Sequence, residues 1–181
     1  MRALGPGSVS SFLKVILDVF HFVLWISLGA VAIAIVAVLL LSFRPELLSG
    51  RLNIDSLRIA GPWIGPFFAA GLLVGDLYIA GAIVIVGRLR RIFRTLIAGD
   101  PFHPDNVRRL RIIGLTLALL ELGRYAASAV SHLIAHLIPH SRIHLGGGIN
   151  LTTWFAVLVI VVLAEVFKEG ARLRGEAELT I

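Results

Sequence analysis

The sequence reads as an all-α integral membrane protein, a four-helix bundle with both termini in the cytoplasm and a cytoplasmic helical hairpin extending between the second and third crossings. Three features carry that reading. Of 181 residues, 57% are apolar and only 15% charged, against about half and about a quarter in ordinary soluble domains, and the mean hydropathy is +0.92. Apolar stretches that could span a bilayer, each needing about 20 helical residues, fall at about 20–43, 62–87, 112–138 and 150–167. Lys and Arg are distributed unevenly between the connecting segments. No internal repeat, low-complexity linker or break divides residues 1–181, so a single membrane domain is expected.

The first crossing contains the run Phe22 to Phe43, 22 residues without a charge, about 33 Å of helix. That is too long for a signal-peptide core, and no small-residue cleavage site follows, so a retained signal anchor is expected. Ahead of it, Phe12, Val15, Ile16, Val19 and Val23 share one helical face, with Lys14, Asp18 and His21 on another, a pattern that suits an interfacial lead-in. The second crossing, Trp63 to Gly87, has Gly65 and Pro66 near its start as a break and one charge, Asp76. The third, Ile112 to Ile138, holds Glu121 and Arg124, and the fourth, Leu151 to Phe167, carries Glu165 near its end. Between crossings, residues 44–61 and 139–149 are punctuated by Gly and Pro, and Leu52, Ile54, Leu57 and Ile59 have the alternation of a short hairpin.

Topology follows from counting basic residues. The N-terminal lead, the segment after the second crossing and the tail together carry twelve Lys and Arg, and the two other loops carry four. This places both termini and the arginine-rich segment in the cytoplasm. There, Leu89, Ile92, Phe93, Leu96 and Ile97 continue an apolar stripe. Gly99 is placed to end the helix, and Pro104 suits the first position of the next, with Phe102 and Val107 as a hydrophobic staple around a His103 cap. Arg88, Arg90, Arg91, Arg94, Arg108, Arg109 and Arg111 on this hairpin determine topology and bind anionic lipid headgroups, or dock an acidic partner. Direct nucleic-acid binding is not expected, because the basic character belongs to a topological loop rather than a recognition fold.

The buried charges define a second candidate site. Asp76 lies 12 residues before Arg88, and Arg124 lies 13 after Arg111, about 18 and about 20 Å along their helices. Equal depth suggests that they pair, with Glu121 one turn from Arg124 as a further acid. Two readings stay open: a structural ion-pair network, and a proton site built from Asp76, Glu121 and Arg124. The first is simpler, because transport normally needs a visible pathway and broken helices. Gly71 and Gly75 permit close approach of another helix, within the chain or in a homo-oligomer.

His132, His136, His140 and His144 recur every four residues. The first two share a helical face and can chelate a transition metal, or serve as interfacial histidines. The chain has no cysteine, which excludes disulfides, thiolate metal sites, thiol nucleophiles and covalent c-type haem. No cofactor is expected. HExxH and serine-nucleophile motifs are absent from the helices, so an enzyme is not expected.

The second half of the chain resembles a bacterial family of four-helix membrane proteins built on a domain of unknown function. The resemblance rests on Asp100-Pro101-Phe102, Asn106-Val107-Arg108-Arg109-Leu110-Arg111, Ile113-Gly114 and Glu121. It continues in Ala164-Glu165-Val166-Phe167, Gly170, Leu173-Arg174 and Leu179-Thr180-Ile181. Members of that family are often encoded beside a small Cro/CI-type helix-turn-helix regulator. The resemblance therefore implies a non-enzymatic, multi-pass protein of the bacterial inner membrane, regulatory or sensory, that holds or releases a cytoplasmic transcription factor. The alternative is a small proton-linked transporter or pH-responsive protein using Asp76, Glu121 and Arg124.

Overall fold

The computed structural model describes residues 9–42, 64–137 and 148–178, and these form four long helices with no strand among them. They are α1 (Val9–Ser42), α2 (Ile64–Ile97), α3 (Pro104–Leu137) and α4 (Leu151–Glu178). Each contains a segment long and apolar enough to cross a membrane: Phe12–Leu40, Phe68–Ile97, Pro104–Leu133 and Leu151–Glu176. The first three helices have 34 residues and the last 28. At about 1.5 Å per residue all exceed a hydrocarbon core of about 30 Å, so each continues past it.

The distribution of side chains is the inverse of a soluble bundle. Large apolar residues lie outside, as in Phe12, Phe22, Ile33 and Leu40 of α1, Leu115, Leu119 and Leu122 of α3, and Phe155, Leu158 and Val162 of α4. The spacing of the α3 and α4 sets, three or four residues apart, makes them continuous stripes. The buried positions include small and polar residues, among them Ala164, Asn106, Glu121, Ser128 and Ser131. With lipid outside there is no hydrophobic drive between helices, and small residues let backbones approach closely. Gly81 packs so tightly that a Cβ there would stand 2.7 Å from Leu120 Cδ1, and one at Gly114 would stand 3.4 Å from Ile160 Cγ2.

The chain forms two compact units. One contains α1 through Trp25, α2 from Gly81, α3 through Glu121, and α4. Its core is Ile92, Leu110, Ile113 and Ala164, packed by Ile85, Leu96, Leu117, Ile160 and Phe167. The other contains α1 from Ile26, α2 through Ala80 and α3 from Leu122. In it Ser131 Oγ donates to the Ser128 carbonyl at 2.7 Å, satisfying a buried hydroxyl within α3.

Two expectations are revised. Gly65 and Pro66 do not break the second crossing, because α2 begins at Ile64 and Pro66 then falls in the first turn, where its missing N–H has no intrahelical acceptor to lose. The N-terminal lead-in and the first crossing form one continuous helix, α1. Gly71 and Gly75 are exposed, and a Cβ at either would meet no described atom within 4 Å, so no described helix uses the pair. The strand-like alternation at Leu52, Ile54, Leu57 and Ile59 lies outside the described residues.

Gly99 has φ +81°, whereas Gly29 lies within α1 with open space around it. Gly99→Ala is expected to lower stability by about 1–2 kcal/mol through left-handed strain. Gly29→Ala should leave it equal or higher, because alanine is the better helix former. Thermal unfolding in detergent followed by circular dichroism checks both.

Candidate functional site

The connection from α2 to α3 is built entirely from local rules. At the end of α2 the Asp100 N–H donates to the Thr95 carbonyl at 3.0 Å and the Gly99 N–H to the Leu96 carbonyl at 3.1 Å. With Gly99 left-handed, this is a Schellman cap. Four residues later His103 opens α3: its Nδ1 accepts the Asp105 N–H at 3.2 Å, its carbonyl accepts the Asn106 N–H at 2.9 Å, and Pro104 follows as the first helical residue. The helix therefore starts on a side-chain cap and a proline that has no N–H to satisfy.

Asn106 ties the two caps together. It is fully buried, and its amide donates to Thr95 Oγ1 at 2.7 Å and to the Pro101 carbonyl at 3.0 Å. Its Oδ1 accepts from Arg109 Nη1 at 2.8 Å. Thr95 passes the chain of bonds on to the Ile92 carbonyl at 2.7 Å, and Arg109 also reaches the Arg91 carbonyl at 3.2 Å and Asp105 at 3.3 Å. Both amide hydrogens and the oxygen of Asn106 are thus used, which is what makes burying the group tolerable.

The turn then docks on α4. Phe102 packs against Phe167 with ring centroids 5.7 Å apart, and it occupies the space that a side chain at Gly170 would need, since a Cβ there would stand 2.5 Å from Phe102 Cδ1. Asp100 is ion-paired with Arg174, and Arg111 faces Glu165 at 3.7 Å, with Lys168 on the same carboxylate. Asp100, Pro101, Phe102, Asn106, Glu165, Phe167 and Gly170, dispersed in sequence, therefore converge on one junction. Ile92, read from sequence as part of an apolar stripe, belongs to it through its carbonyl, and so does Thr95, which no sequence signal singled out.

The arginine set divides. Arg109 and Arg111 are committed to the junction, and Arg90 Nε pairs with Asp18 of α1 at 2.5 Å. Arg88, Arg91, Arg94 and Arg108 have no carboxylate or hydrogen-bond partner for their side chains among the described residues. The seven arginines therefore differ in what surrounds them, because neighbouring helices supply acids that a linear count does not see.

The buried charges are arranged differently from the depth argument. Asp76 Oδ1 is buried and accepts no hydrogen bond from any described residue. The Arg124 guanidinium donates to the Gly148 carbonyl at 2.7 Å and lies 4.9 Å over the Tyr125 ring. Equal rise fixes the level of two residues but not the direction each faces around its helix, so depth alone does not pair them. Glu121 is 5% exposed. His132 is exposed on α3, the His136 side chain lies outside the described residues, and so do His140 and His144. Among the described residues no group of three or more His, Asp or Glu could hold a metal ion.

A family model described as protein of unknown function (DUF2975) matches residues 52–181, which include α2, α3, α4 and the whole junction. No curated protein and no solved structure matches the chain.

Asn106→Ala is expected to destabilise by about 1–3 kcal/mol, because Thr95 and Arg109 lose a buried partner. Gly170→Ala should cost about 1–3 kcal/mol by overpacking and cost much less in a Phe102→Ala background. Unfolding midpoints of the single and double variants measure that coupling.

Proposed function

The chain belongs to the DUF2975 family, and from that premise we propose that it is a non-enzymatic regulatory or sensory protein of the bacterial inner membrane that docks a cytoplasmic partner. The docking surface is the polar end of the bundle, where the α2–α3 hairpin and the last turns of α4 meet. The observation that carries this reading is the junction itself. Its hydrogen bonds and ring contacts hold the hairpin on α4, while Arg108 is exposed beside it without an acidic partner among the described residues. A prearranged surface loses less conformational entropy on binding than a loose loop, and an unpaired guanidinium favours an acidic face on the partner. The partner implied by the resemblance is a small helix-turn-helix regulator, held at or released from the membrane. Both termini face the cytoplasm in this reading.

A second reading is a small proton-linked transporter or pH-responsive protein. One observation favours it: the buried, unbonded Oδ1 of Asp76, since an acid within an apolar crossing is by default a functional group.

Crosslinking the tagged protein in its native host should recover a small DNA-binding regulator with the wild type and lose it with Arg108→Glu. Equal recovery with both chains, or none with either, would reject the docking reading. In reconstituted vesicles, proton flux unaffected by Asp76→Asn would remove the second.

A further inference from the structure

We infer that the face of α2 that meets α1 forms a binding site for the phosphate of an anionic phospholipid. A cleft of about 370 Å³ opens there, walled by His21 of α1 and by Gly87, Arg88, Arg90, Arg91 and Arg94 of α2. The α2 residues are three or four positions apart in the series 84, 87, 91 and 94, in 83, 87, 90 and 94 and in 84, 88 and 91, so one broad helical stripe presents the arginines together. Glycine at 87 leaves that stripe concave, with the position of a missing Cβ 3.5 Å from His21 Cε1.

The charge of this wall is not balanced by the described residues. Asp18 neutralises Arg90, whereas Arg88, Arg91 and Arg94 find no acidic or hydrogen-bonding partner among the described residues. A second and independent observation lies on the opposite wall. The Trp25 indole Nε1–H donates to His21 Nε2 at 3.2 Å, so Nε2 is the acceptor nitrogen and the proton of the neutral ring resides on Nδ1. That Nδ1 is buried and has no hydrogen-bond partner among the described residues. An N–H without a described acceptor on one wall, where Arg90 and Asp18 are the charges that act on the ring, and three guanidiniums without described partners on the other wall of the same cleft form a set of donors lacking its anion. Arginine forks suit the oxygens of a phosphate in particular.

The position along the chain selects the source of the phosphate. From Leu77 to Gly87 α2 carries no charge, and the next seven residues contain four arginines. The cleft therefore sits where an apolar crossing meets the headgroup layer. Its remaining lining, Ile83 and Val84, is apolar and suits the glycerol and first methylenes of a lipid. Anionic headgroups are the phosphates most concentrated at that level.

The test uses the purified full chain in a neutral detergent, with unfolding temperature read against added short-chain phosphatidylglycerol, short-chain phosphatidylcholine or inorganic phosphate. Phosphatidylglycerol should raise the midpoint, and phosphatidylcholine should not. In Arg88→Gln/Arg91→Gln the apparent affinity should fall by about tenfold or more, as expected for loss of charge-assisted hydrogen bonds. Because neither side chain is bonded to any described residue, the double variant should unfold at the wild-type temperature when no lipid is present. His21→Phe provides an independent lesion on the other wall, and Arg108→Gln, outside the cleft, should bind as the wild type does. A rise with inorganic phosphate that is lost in the same variants would support the site and assign a soluble phosphate as its occupant. No rise with either anion, or a rise of equal size in every variant, would overturn the proposal.

Discussion

The six residues between α2 and α3 hold their course because one amide, fully buried, is completely hydrogen-bonded. Asn106 stands at the centre of a closed set of bonds that reaches the last turn of α2 through Thr95, the turn through Pro101 and the first turns of α3 through Arg109. Without that group the two caps would be separate local events, each with its own freedom to swing. With it, the turn has one conformation, and Phe102 is aimed at Gly170 and Phe167. The docking of α4, its ion pairs to Asp100 and Arg111, and the packing of Ala164 into the core follow from that orientation. Hydrogen bonds in a buried network reinforce one another, and the loss of one member leaves several groups unsatisfied.

The rest of the chain obeys a different constraint. A bilayer offers apolar surroundings without limit, so burying leucine between helices gains little, and large apolar side chains are left facing outward. What the helices bring together instead is small or polar, such as Gly81 against Leu120, Gly114 against Ile160, and the Ser128–Ser131 bond. Polarity is then concentrated at the helix ends. Several exposed ion pairs of α4, including Arg172 with Glu169 and Glu176, add little stability each, but they keep that end of the helix in a polar layer.

Much of this was legible in the sequence where a local rule governs. Long apolar runs gave the four helices, Gly99 gave the end of α2, and His103-Pro104 gave the start of α3. The junction was legible only as scattered residues, because the Asp100–Arg174 pair spans 74 positions and no periodicity in either segment points to the other. The arginines looked alike in sequence, yet the structure separates them by what the facing helix supplies: Asp18 for Arg90, Glu165 for Arg111, and nothing acidic among the described residues for Arg88, Arg91 or Arg94. Asp76 and Arg124 show the converse error. Residue counting measures height along a helix well and says nothing of azimuth, which tertiary packing decides.

The bond between Trp25 and His21 has an optical consequence. An indole whose N–H is held by an imidazole, with the rings edge to face and their centroids 6.4 Å apart, has an excited state sensitive to the charge and position of that imidazole. Any event that reorients His21 therefore changes the emission of Trp25. The chain has three tryptophans, and replacing Trp63 and Trp154 with phenylalanine would leave this single fluorophore to report, without a label, on what happens along the α1–α2 face.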